Sequence, residues 1–194
     1  MLEQVNLLIF LELNWVQQCE MTYKDALKQS MEELAKEENT IFLGYNISHG
    51  SKAYGTLVDI PLDKKIETPV AENLMIGLAI GMALEGYKPV VFYERHDFIL
   101  NALDGIVNHL GKLEELSRGE FSPSVIIRAT IGDKLPINPG PQHSQDFTKA
   151  FREMIHFPIY EPMTAKEVIE SYNKIKLSHF PSLIIERREL YNQE

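Results

Sequence analysis

Residues 67–92 read ETPVAENLMIGLAIGMALEGYKPVVF and contain a helix that is followed at once by a strand. The helix is predicted to begin near Ala71, and Gly86 is expected to end it because glycine adopts the left-handed conformation common after helix C-termini. The apolar run that follows has the length and composition of a buried strand. Within the helix, Gly77 and Gly81 stand four residues apart, and this spacing indicates close packing of the helix backbone against another element.

Short apolar segments with strand character recur along the chain, and helical patterns separate most of them. The predicted strands are Thr40 to Leu43, a short segment near Ile66, Pro89 to Phe92, Ser124 to Ala129 and Ser182 to Glu186. Further helices are predicted from Thr22 to about Glu37, from about Asp97 to Leu116, and after the capping box of Thr164 and Glu167. The alternation predicts an α/β fold: a three-layer, doubly wound, mostly parallel sheet with helices on both faces and ligands at the carboxyl ends of its strands.

Length and composition restrict the class of protein. The chain has 194 residues, a length typical of one domain, and a formal net charge of -9 without a basic block. This charge argues against nucleic acid and against a membrane surface as partners. Cys19 is the single cysteine, so no internal disulfide can form, and we predict a reducing, cytoplasmic location.

We divide the chain into an N-terminal extension, residues 1–20, and one domain, residues 21–194. The apolar stretch Leu7 to Leu13 is interrupted by Glu12 and is too short to span a bilayer, so we expect neither a signal peptide nor an anchor. We interpret it as a short amphipathic helix that packs on the domain. A contact with a partner chain, or a natural start at Met21, are the alternatives.

Familiar nucleotide and metal motifs are absent from the sequence. Gly105 to Lys112 is similar to a phosphate-binding P-loop only superficially, because five residues separate its glycines and Leu113 replaces the Ser or Thr. No G-x-G-x-x-G follows a strand, and the six histidines lack the spacing of metal ligands. The longest loop, Gly132 to Ser144, contains three prolines and two glycines and is interpreted as a functional loop.

Several segments together resemble the pyrimidine-binding domain of the beta subunit in pyruvate dehydrogenase-type 2-oxo acid dehydrogenases, and more distantly that of transketolases. The matching segments are MTYKDAL at 21–27, ETPVAEN and GLAIGMALEGYKPVV within 67–91, DFILNALDGIVNH at 97–109, QHSQ at 142–145 and LIIERRELY at 183–191. Their order and spacing agree over about residues 21 to 191. The resemblance implies a domain that binds the aminopyrimidine ring of thiamine diphosphate.

Three residues occupy positions that carry function in this family. The resemblance assigns Glu72 to the catalytic glutamate that hydrogen-bonds a ring nitrogen of the aminopyrimidine, so that the cofactor's own amino group can deprotonate its thiazolium carbon. It assigns Phe98 to the aromatic residue that packs on the pyrimidine ring. It assigns His143 to a catalytic histidine that reaches the reacting centre. On the residues alone, a dipole-stabilising glutamate, a core phenylalanine and a solvated loop histidine are the alternatives.

The sequence also departs from the family pattern. Gly44-Tyr45-Asn46 replaces the usual Gly-Glu-Asp or Gly-Glu-Glu, and His96 stands where a phenylalanine is common. The loop from Ala129 to Gly140 lacks the family's Gly-Pro-x-Gly, which indicates a different or narrower substrate. The segment Glu186-Arg187-Arg188 is interpreted as an exposed charged cluster without a catalytic role.

Partners follow from what the resemblance leaves uncovered. In the family, Mg²⁺ and the diphosphate bind a Gly-Asp-Gly motif with a downstream Asn on another domain, and Gly132-Asp133-Lys134 does not satisfy it. We therefore predict an alpha-type partner subunit that carries this domain, in an α2β2 assembly. Family beta subunits also continue beyond the position of Tyr191 into a further domain, so delivery to a lipoyl-bearing acyltransferase is not assumed.

The predicted function is that of a beta-type subunit of a split thiamine diphosphate-dependent enzyme. Such an enzyme makes or breaks a C–C bond next to the carbonyl of a small-molecule substrate, by 2-oxo acid decarboxylation or dehydrogenation or by transketolase-type ketol transfer. The altered loops motivate an alternative from another class, a non-catalytic regulatory or assembly homologue of the same domain.

Overall fold

A computed structural model of the chain describes residues 21–132 and 138–193. The predicted amphipathic helix at Leu7 to Leu13 and Cys19 lie outside the described residues. In the part that is described, six parallel strands form one sheet in the order β2-β1-β3-β4-β6-β5. The strands are β1 (Thr40–Gly44), β2 (Lys65–Glu67), β3 (Lys88–Tyr93), β4 (Ile126–Ile131), β5 (Ile159–Tyr160) and β6 (Ser182–Arg187).

Helices cover both faces of this sheet. The helices are α1 (Tyr23–Ala35), α2 (Glu72–Leu84), α3 (Leu113–Leu116), α4 (Thr148–Met154) and α5 (Ala165–Leu177). One core cluster packs α1 and α5 on side chains such as Phe42 and Ile184, and the other packs α2 and the segment after β3 on side chains such as Leu43 and Ile185. The predicted three-layer, doubly wound α/β fold is confirmed, and the sheet is parallel throughout its described strands.

Helix caps agree with the sequence interpretation. The hydroxyl of Thr22 accepts a hydrogen bond from the backbone N–H of Asp25 at 3.2 Å, and that of Thr164 accepts one from Glu167 at 3.2 Å. The carboxylate of Glu167 accepts from the N–H of Met163 at 2.7 Å, one residue before the expected donor. Both caps satisfy N–H groups that the first helical turn leaves without partners.

The predicted helix from Asp97 to Leu116 is wrong as a continuous element. The chain instead forms a 3-10 helix (His96–Ala102), a π-helical segment (Gly105–Leu110) and the short helix α3. A Cβ at Gly105 would overlap the side chain of Ile76, so the glycine lets this segment approach α2 closely. The sequence interpretation also missed α4 and β5, which are both short.

The charged segment at the end of β6 is not the exposed cluster that the sequence predicts, because Glu186 is fully buried. Its carboxylate accepts hydrogen bonds from Arg128 at 2.6 and 3.1 Å, and from the hydroxyls of Tyr172 and Tyr191 at 3.4 and 2.6 Å. The Nη2 of Arg128 also donates to the hydroxyl of Thr56 at 3.1 Å, whereas its Nη1 is buried without a partner among the described residues. Arg187 forms ion pairs with Asp146, at 2.9 Å, and with Glu161.

No helix among residues 21–132 and 138–193 combines the length and apolarity that crossing a membrane requires.

Candidate functional site

Glu72 begins α2 at the carboxyl edge of the sheet and is only 6% exposed. Its Oε1 accepts a hydrogen bond from the hydroxyl of Tyr45 at 3.4 Å, and its Oε2 accepts one from the Nδ2 of Asn101 at 3.4 Å. Its backbone carbonyl accepts from the hydroxyl of Tyr93 at 3.1 Å. Since both side-chain bonds are long, each carboxylate oxygen keeps capacity for a closer donor.

The surroundings of Glu72 combine burial with neutral donors. Burial, and next the negative charge of Glu72, raise the pKa values of Tyr45 and Tyr93 well above their ordinary value of 10.0. Both phenols therefore stay protonated and serve as donors at physiological pH. Glu72 is therefore contacted by neutral hydrogen-bond donors from three segments of the chain.

Phe98 and His143 are in contact with each other. Phe98 lies on the 3-10 helix, and its ring meets that of His143 edge to face, with centroids 5.2 Å apart and planes at 84°. Side chains three residues apart in a 3-10 helix lie on the same side, so Phe98 shares a side with Asn101, which donates to Glu72. Phe98 thus contacts His143 and shares a helix face with the residue that donates to Glu72.

His143 offers a polar atom without a partner. Its Nδ1 is buried and has no hydrogen bond within the described part of the chain. The backbone of the loop is fixed nearby, since the N–H of His143 and the hydroxyl of Ser144 both donate to the carbonyl of Gly140, at 3.2 and 3.0 Å. A buried polar atom without a partner is costly, which is a reason to expect that a ligand satisfies it.

Gly132, the residue after β4, lies against the His143 loop. A Cβ at this position would overlap the carbonyl oxygen of His143 and would lie 3.2 Å from the Nη1 of Arg95. Any side chain here would push the histidine loop away from the sheet. The glycine is required by this close approach of two backbones.

His96 and Asp97, which precede Phe98, hold the histidine loop to the 3-10 helix. The Oδ1 of Asp97 accepts from the N–H of Gln145 at 3.3 Å and from its Nε2 at 2.9 Å, and the Nδ1 of His96 accepts from the N–H of Phe147 at 3.2 Å. Burial lowers the pKa of His96 below its ordinary value of 6.5. Where the family usually has a phenylalanine, this buried histidine adds a hydrogen bond that positions the loop.

The loop after β1, which carries Tyr45, is held by Glu67 at the end of β2. Its carboxylate accepts hydrogen bonds from the backbone N–H groups of Asn46, Ile47 and Ser48, at 2.6, 3.1 and 2.7 Å. Three bonds to one carboxylate fix a loop strongly, because charge-assisted hydrogen bonds are stronger than neutral ones. Glu67 therefore positions the phenol that meets Glu72.

Sequence reasoning missed Tyr45, Asn101 and Tyr93 as parts of this site. The departure Gly44-Tyr45-Asn46 was a signal for Tyr45, since an unusual residue after a strand lies where ligands bind. The spacing of three from Phe98 was a signal for Asn101, because side chains three residues apart share a face in an α-helix as well as in a 3-10 helix. Tyr93 carried no signal beyond its place at the end of a predicted strand.

The described residues offer groups that fit the aminopyrimidine end of thiamine diphosphate. A buried carboxylate, an aromatic ring and a histidine nitrogen without a partner match the donors, acceptors and flat faces of an aminopyrimidine. Among residues 21–132 and 138–193, no three His, Cys, Asp or Glu side chains form a group that could hold a metal ion. Mg²⁺ and the phosphates need oxygen ligands from elsewhere.

Comparison with known families gives a match over almost all of this fold. The family model of the transketolase pyrimidine-binding domain matches residues 19–194. The chain belongs to this family. The match covers all six strands of the sheet and the three predicted site residues.

Curated relatives of this pyrimidine-binding domain include beta subunits of the pyruvate dehydrogenase E1 component. The mitochondrial subunit of Saccharomyces cerevisiae is 28% identical over 178 residues, 89% of this chain and 48% of the relative. The subunits of Cyanidium caldarium and Rickettsia conorii are 29% and 27% identical, over 87% and 76% of this chain and 52% and 46% of the relatives. The chain thus spans about half the length of the curated relatives it matches.

A solved structure supports the same fold. A split-gene transketolase described as an inactive beta4 tetramer superposes with a TM-score of 0.68 at 18% identity, over 87% of this chain and 52% of that one. At this identity the likeness concerns the fold alone. Because relatives of both bacterial and mitochondrial origin match, the cytoplasmic location remains a prediction.

Proposed function

We propose that the chain supplies the aminopyrimidine-binding half of the active site of a split thiamine diphosphate-dependent enzyme. The observation that supports this proposal is the buried carboxylate of Glu72. Its two neutral donors, Tyr45 and Asn101, lie at 3.4 Å, so the carboxylate can accept a shorter hydrogen bond from a ligand. The reaction class is the making or breaking of a C–C bond next to a carbonyl, by 2-oxo acid decarboxylation or dehydrogenation or by ketol transfer.

Each site residue has a separate task in this proposal. Glu72 accepts a hydrogen bond from a nitrogen of the pyrimidine ring and thereby controls which tautomer the ring adopts. Phe98 packs on the flat face of the ring, and its edge-to-face contact with His143 orients the histidine. The imidazole of His143 exchanges protons with the substrate near neutral pH. When bound, thiamine diphosphate supplies the carbanion chemistry that no protein side chain provides.

A partner chain completes the site. No three His, Cys, Asp or Glu side chains among the described residues could hold Mg²⁺, and we assign the site for Mg²⁺ and the diphosphate to an alpha-type subunit in an α2β2 assembly. The surface of α2 offers an apolar contact for this subunit: Leu74 and Leu78 are 55% and 38% exposed, and a Cβ at Gly77 or Gly81 would meet no described atom within 4 Å. Exposed apolar surface on a helix without a neighbour is typical of a subunit contact.

Glu72→Gln in the complex reconstituted with its partner tests the function. The substitution keeps the size of the side chain and one oxygen that can accept from Tyr45 or Asn101, but it replaces the carboxyl group with an amide that cannot exchange a proton with the ring. We expect kcat to fall by a factor on the order of 10² to 10⁴, the range that a positioned acid or base contributes. The measurement is steady-state turnover of 2-oxo acids and ketose phosphates, with thiamine diphosphate and Mg²⁺ present.

Glu85→Gln is the matched control, since Glu85 is the exposed residue at the other end of α2. It should leave kcat unchanged. Turnover by the Glu72→Gln complex equal to that of the unmodified complex would contradict the catalytic role of Glu72. Absence of turnover in the unmodified complex, with no cofactor bound, would favour the non-catalytic regulatory or assembly homologue.

A further inference from the structure

Three side chains gather at the carboxyl edge of the sheet without belonging to the pyrimidine site. The guanidinium carbon of Arg95 lies 5.4 Å from the ring centroid of Tyr54, and that of Arg188 lies 4.1 Å from the same centroid. Arg188 also lies 4.6 Å from the ring centroid of Tyr191. Arg95 follows β3 and Arg188 follows β6, so the sheet itself brings these two positive charges together.

Neither of these two guanidinium groups is neutralised by the described chain. No ion pair within 4.0 Å and no side-chain hydrogen bond among residues 21–132 and 138–193 includes Arg95 or Arg188, whereas Arg128 and Arg187 both have carboxylate partners. Glu94 precedes Arg95, but its carboxylate accepts from Asn46 at 3.0 Å and Ser51 at 3.5 Å, and the exposed Glu189, which follows Arg188, forms no ion pair with it among the described residues. These two half-buried guanidinium groups, which form no ion pair among the described residues, could bind an anion.

This arginine pair adjoins His143. The Nη1 of Arg95 and the carbonyl of His143 both approach the same face of Gly132. Tyr54 is fixed in turn by the hydrogen bond from its hydroxyl to the carbonyl of Glu94, at 3.1 Å. This hydrogen bond therefore fixes the Tyr54 ring, over which both guanidinium groups lie, beside the residue that precedes Arg95.

We propose that Arg95 and Arg188, stacked on Tyr54, bind an oxyanion group, a carboxylate or phosphate, of the carbonyl substrate. A guanidinium group that stacks on an aromatic ring keeps its N–H edge available for two parallel hydrogen bonds to an oxyanion. Stacking also restricts the arginine before the anion arrives, which reduces the entropy lost on binding. That the anion belongs to the substrate rests on the proposed function, but the anion site itself does not.

The first experiment uses the full chain without cofactor or partner. Its arginine Nε–Hε NMR signals are followed while orthophosphate or succinate is added at constant ionic strength, with chloride as the reference anion. We expect saturable shifts of two signals that disappear in Arg95→Gln and Arg188→Gln. Arg118→Gln is the matched control, because Arg118 is an exposed arginine after α3, away from the carboxyl edge.

The outcomes separate clearly. Tighter saturation by succinate identifies a carboxylate site, and tighter saturation by orthophosphate identifies a phosphate site. Shifts that are linear, equal with chloride or equally large for Arg118 would overturn the proposal. Arg188→Lys keeps the charge and the fold if Arg188→Gln proves unstable, and it should weaken binding since lysine cannot form the paired hydrogen bonds.

A second experiment assigns the anion to the substrate in the reconstituted complex. Arg188→Gln should raise KM at least about tenfold for a carbonyl substrate with a distal carboxylate or phosphate, the effect of losing one charge-assisted hydrogen bond. KM for the neutral analogue of the same size should stay unchanged. Equal changes for both substrates would overturn the assignment, while loss of turnover in the unmodified complex would count against the proposed function and leave the NMR result intact.

Discussion

His96 is fully buried and its ring lies 4.8 Å from that of Phe151, edge to face. Burial is the largest cause that lowers its pKa, and the nearby charges of Asp146 and Asp97 offset only part of the effect. The unfolded chain therefore binds a proton at a higher pH than the folded protein does. The free energy of unfolding should fall as the pH decreases below 6.5, by up to about 1.4 kcal/mol per pH unit from this residue.

His96→Asn tests this pH dependence because asparagine keeps an acceptor for the N–H of Phe147 but does not titrate. Urea unfolding between about pH 7.5 and pH 5 should give a shallower loss of stability for the variant than for the unmodified chain. His156→Asn is the control, since His156 is exposed, and its slope should equal that of the unmodified chain. Parallel slopes for His96→Asn and the unmodified chain would rule out the burial of a neutral His96.

The resemblance to a known family predicts Glu72, Phe98 and His143 as site residues, and the structure shows contact between Phe98 and His143. Their partners were harder to predict because they come from distant segments. Tyr45 reaches Glu72 because the end of β1 and the start of α2 meet at one edge of the sheet. The hydrogen bond between Gln145 and Asp97 joins residues that are 48 positions apart in the sequence. Such contacts are set by strand register, which a single sequence does not specify.

Elements with strong periodicity were predictable, and elements shaped by close packing were not. The strands β1, β3 and β6 and the helices α1 and α5 follow their apolar patterns closely, whereas α2 is apolar on its buried and exposed sides and was predicted from Ala71 and Gly86 at its ends. The segment from His96 to Leu116 has an α-helical pattern as well, yet it changes to 3-10 and π geometry. Contact with α2 at Gly105 determines this change, so tertiary packing overrides the local preference.

Substitutions on helix α2 should have opposite effects on the stability of the isolated chain and on its affinity for the partner. Gly77→Leu and Gly81→Leu should each stabilise the isolated chain by about 0.5 to 1 kcal/mol, because glycine is unfavourable within a helix and no described atom lies within 4 Å of the added Cβ. The same substitutions should weaken binding of the alpha-type partner at least about tenfold, since a bulky side chain separates two closely packed surfaces.

The two effects are measured by urea unfolding of the chain alone and by titration with the partner. Ala150→Leu is the control, as Ala150 is a small exposed residue on α4, and it should leave partner affinity unchanged. Unaltered partner affinity for both glycine variants would show that α2 is not the contact. If the chain associates with itself, loss of that association without loss of alpha-type binding would instead assign the α2 surface to a second copy of the chain.

At the scale of the whole molecule, every candidate residue lies at the carboxyl edge of the sheet. We propose that these residues form only one half of the active site. In the proposed site, Glu72, Phe98 and His143 would bind the aminopyrimidine, and Arg95 and Arg188 would bind a substrate oxyanion. The described residues contain no group of oxygen ligands for Mg²⁺. A ligand that spans both halves should bind this chain weakly and the partnered complex tightly, because the diphosphate normally contributes much of the affinity.

Thermal unfolding with and without ligand tests this division. At about a hundred times its Kd, thiamine diphosphate with Mg²⁺ should stabilise the partnered complex by about 2.7 kcal/mol through binding linkage. The same concentration should barely change the Tm of the chain alone. Thiamine, which lacks the diphosphate, is the control ligand and should stabilise neither strongly. A chain that is stabilised alone as much as in the complex would hold the diphosphate itself, and the site would then be complete without an alpha-type subunit.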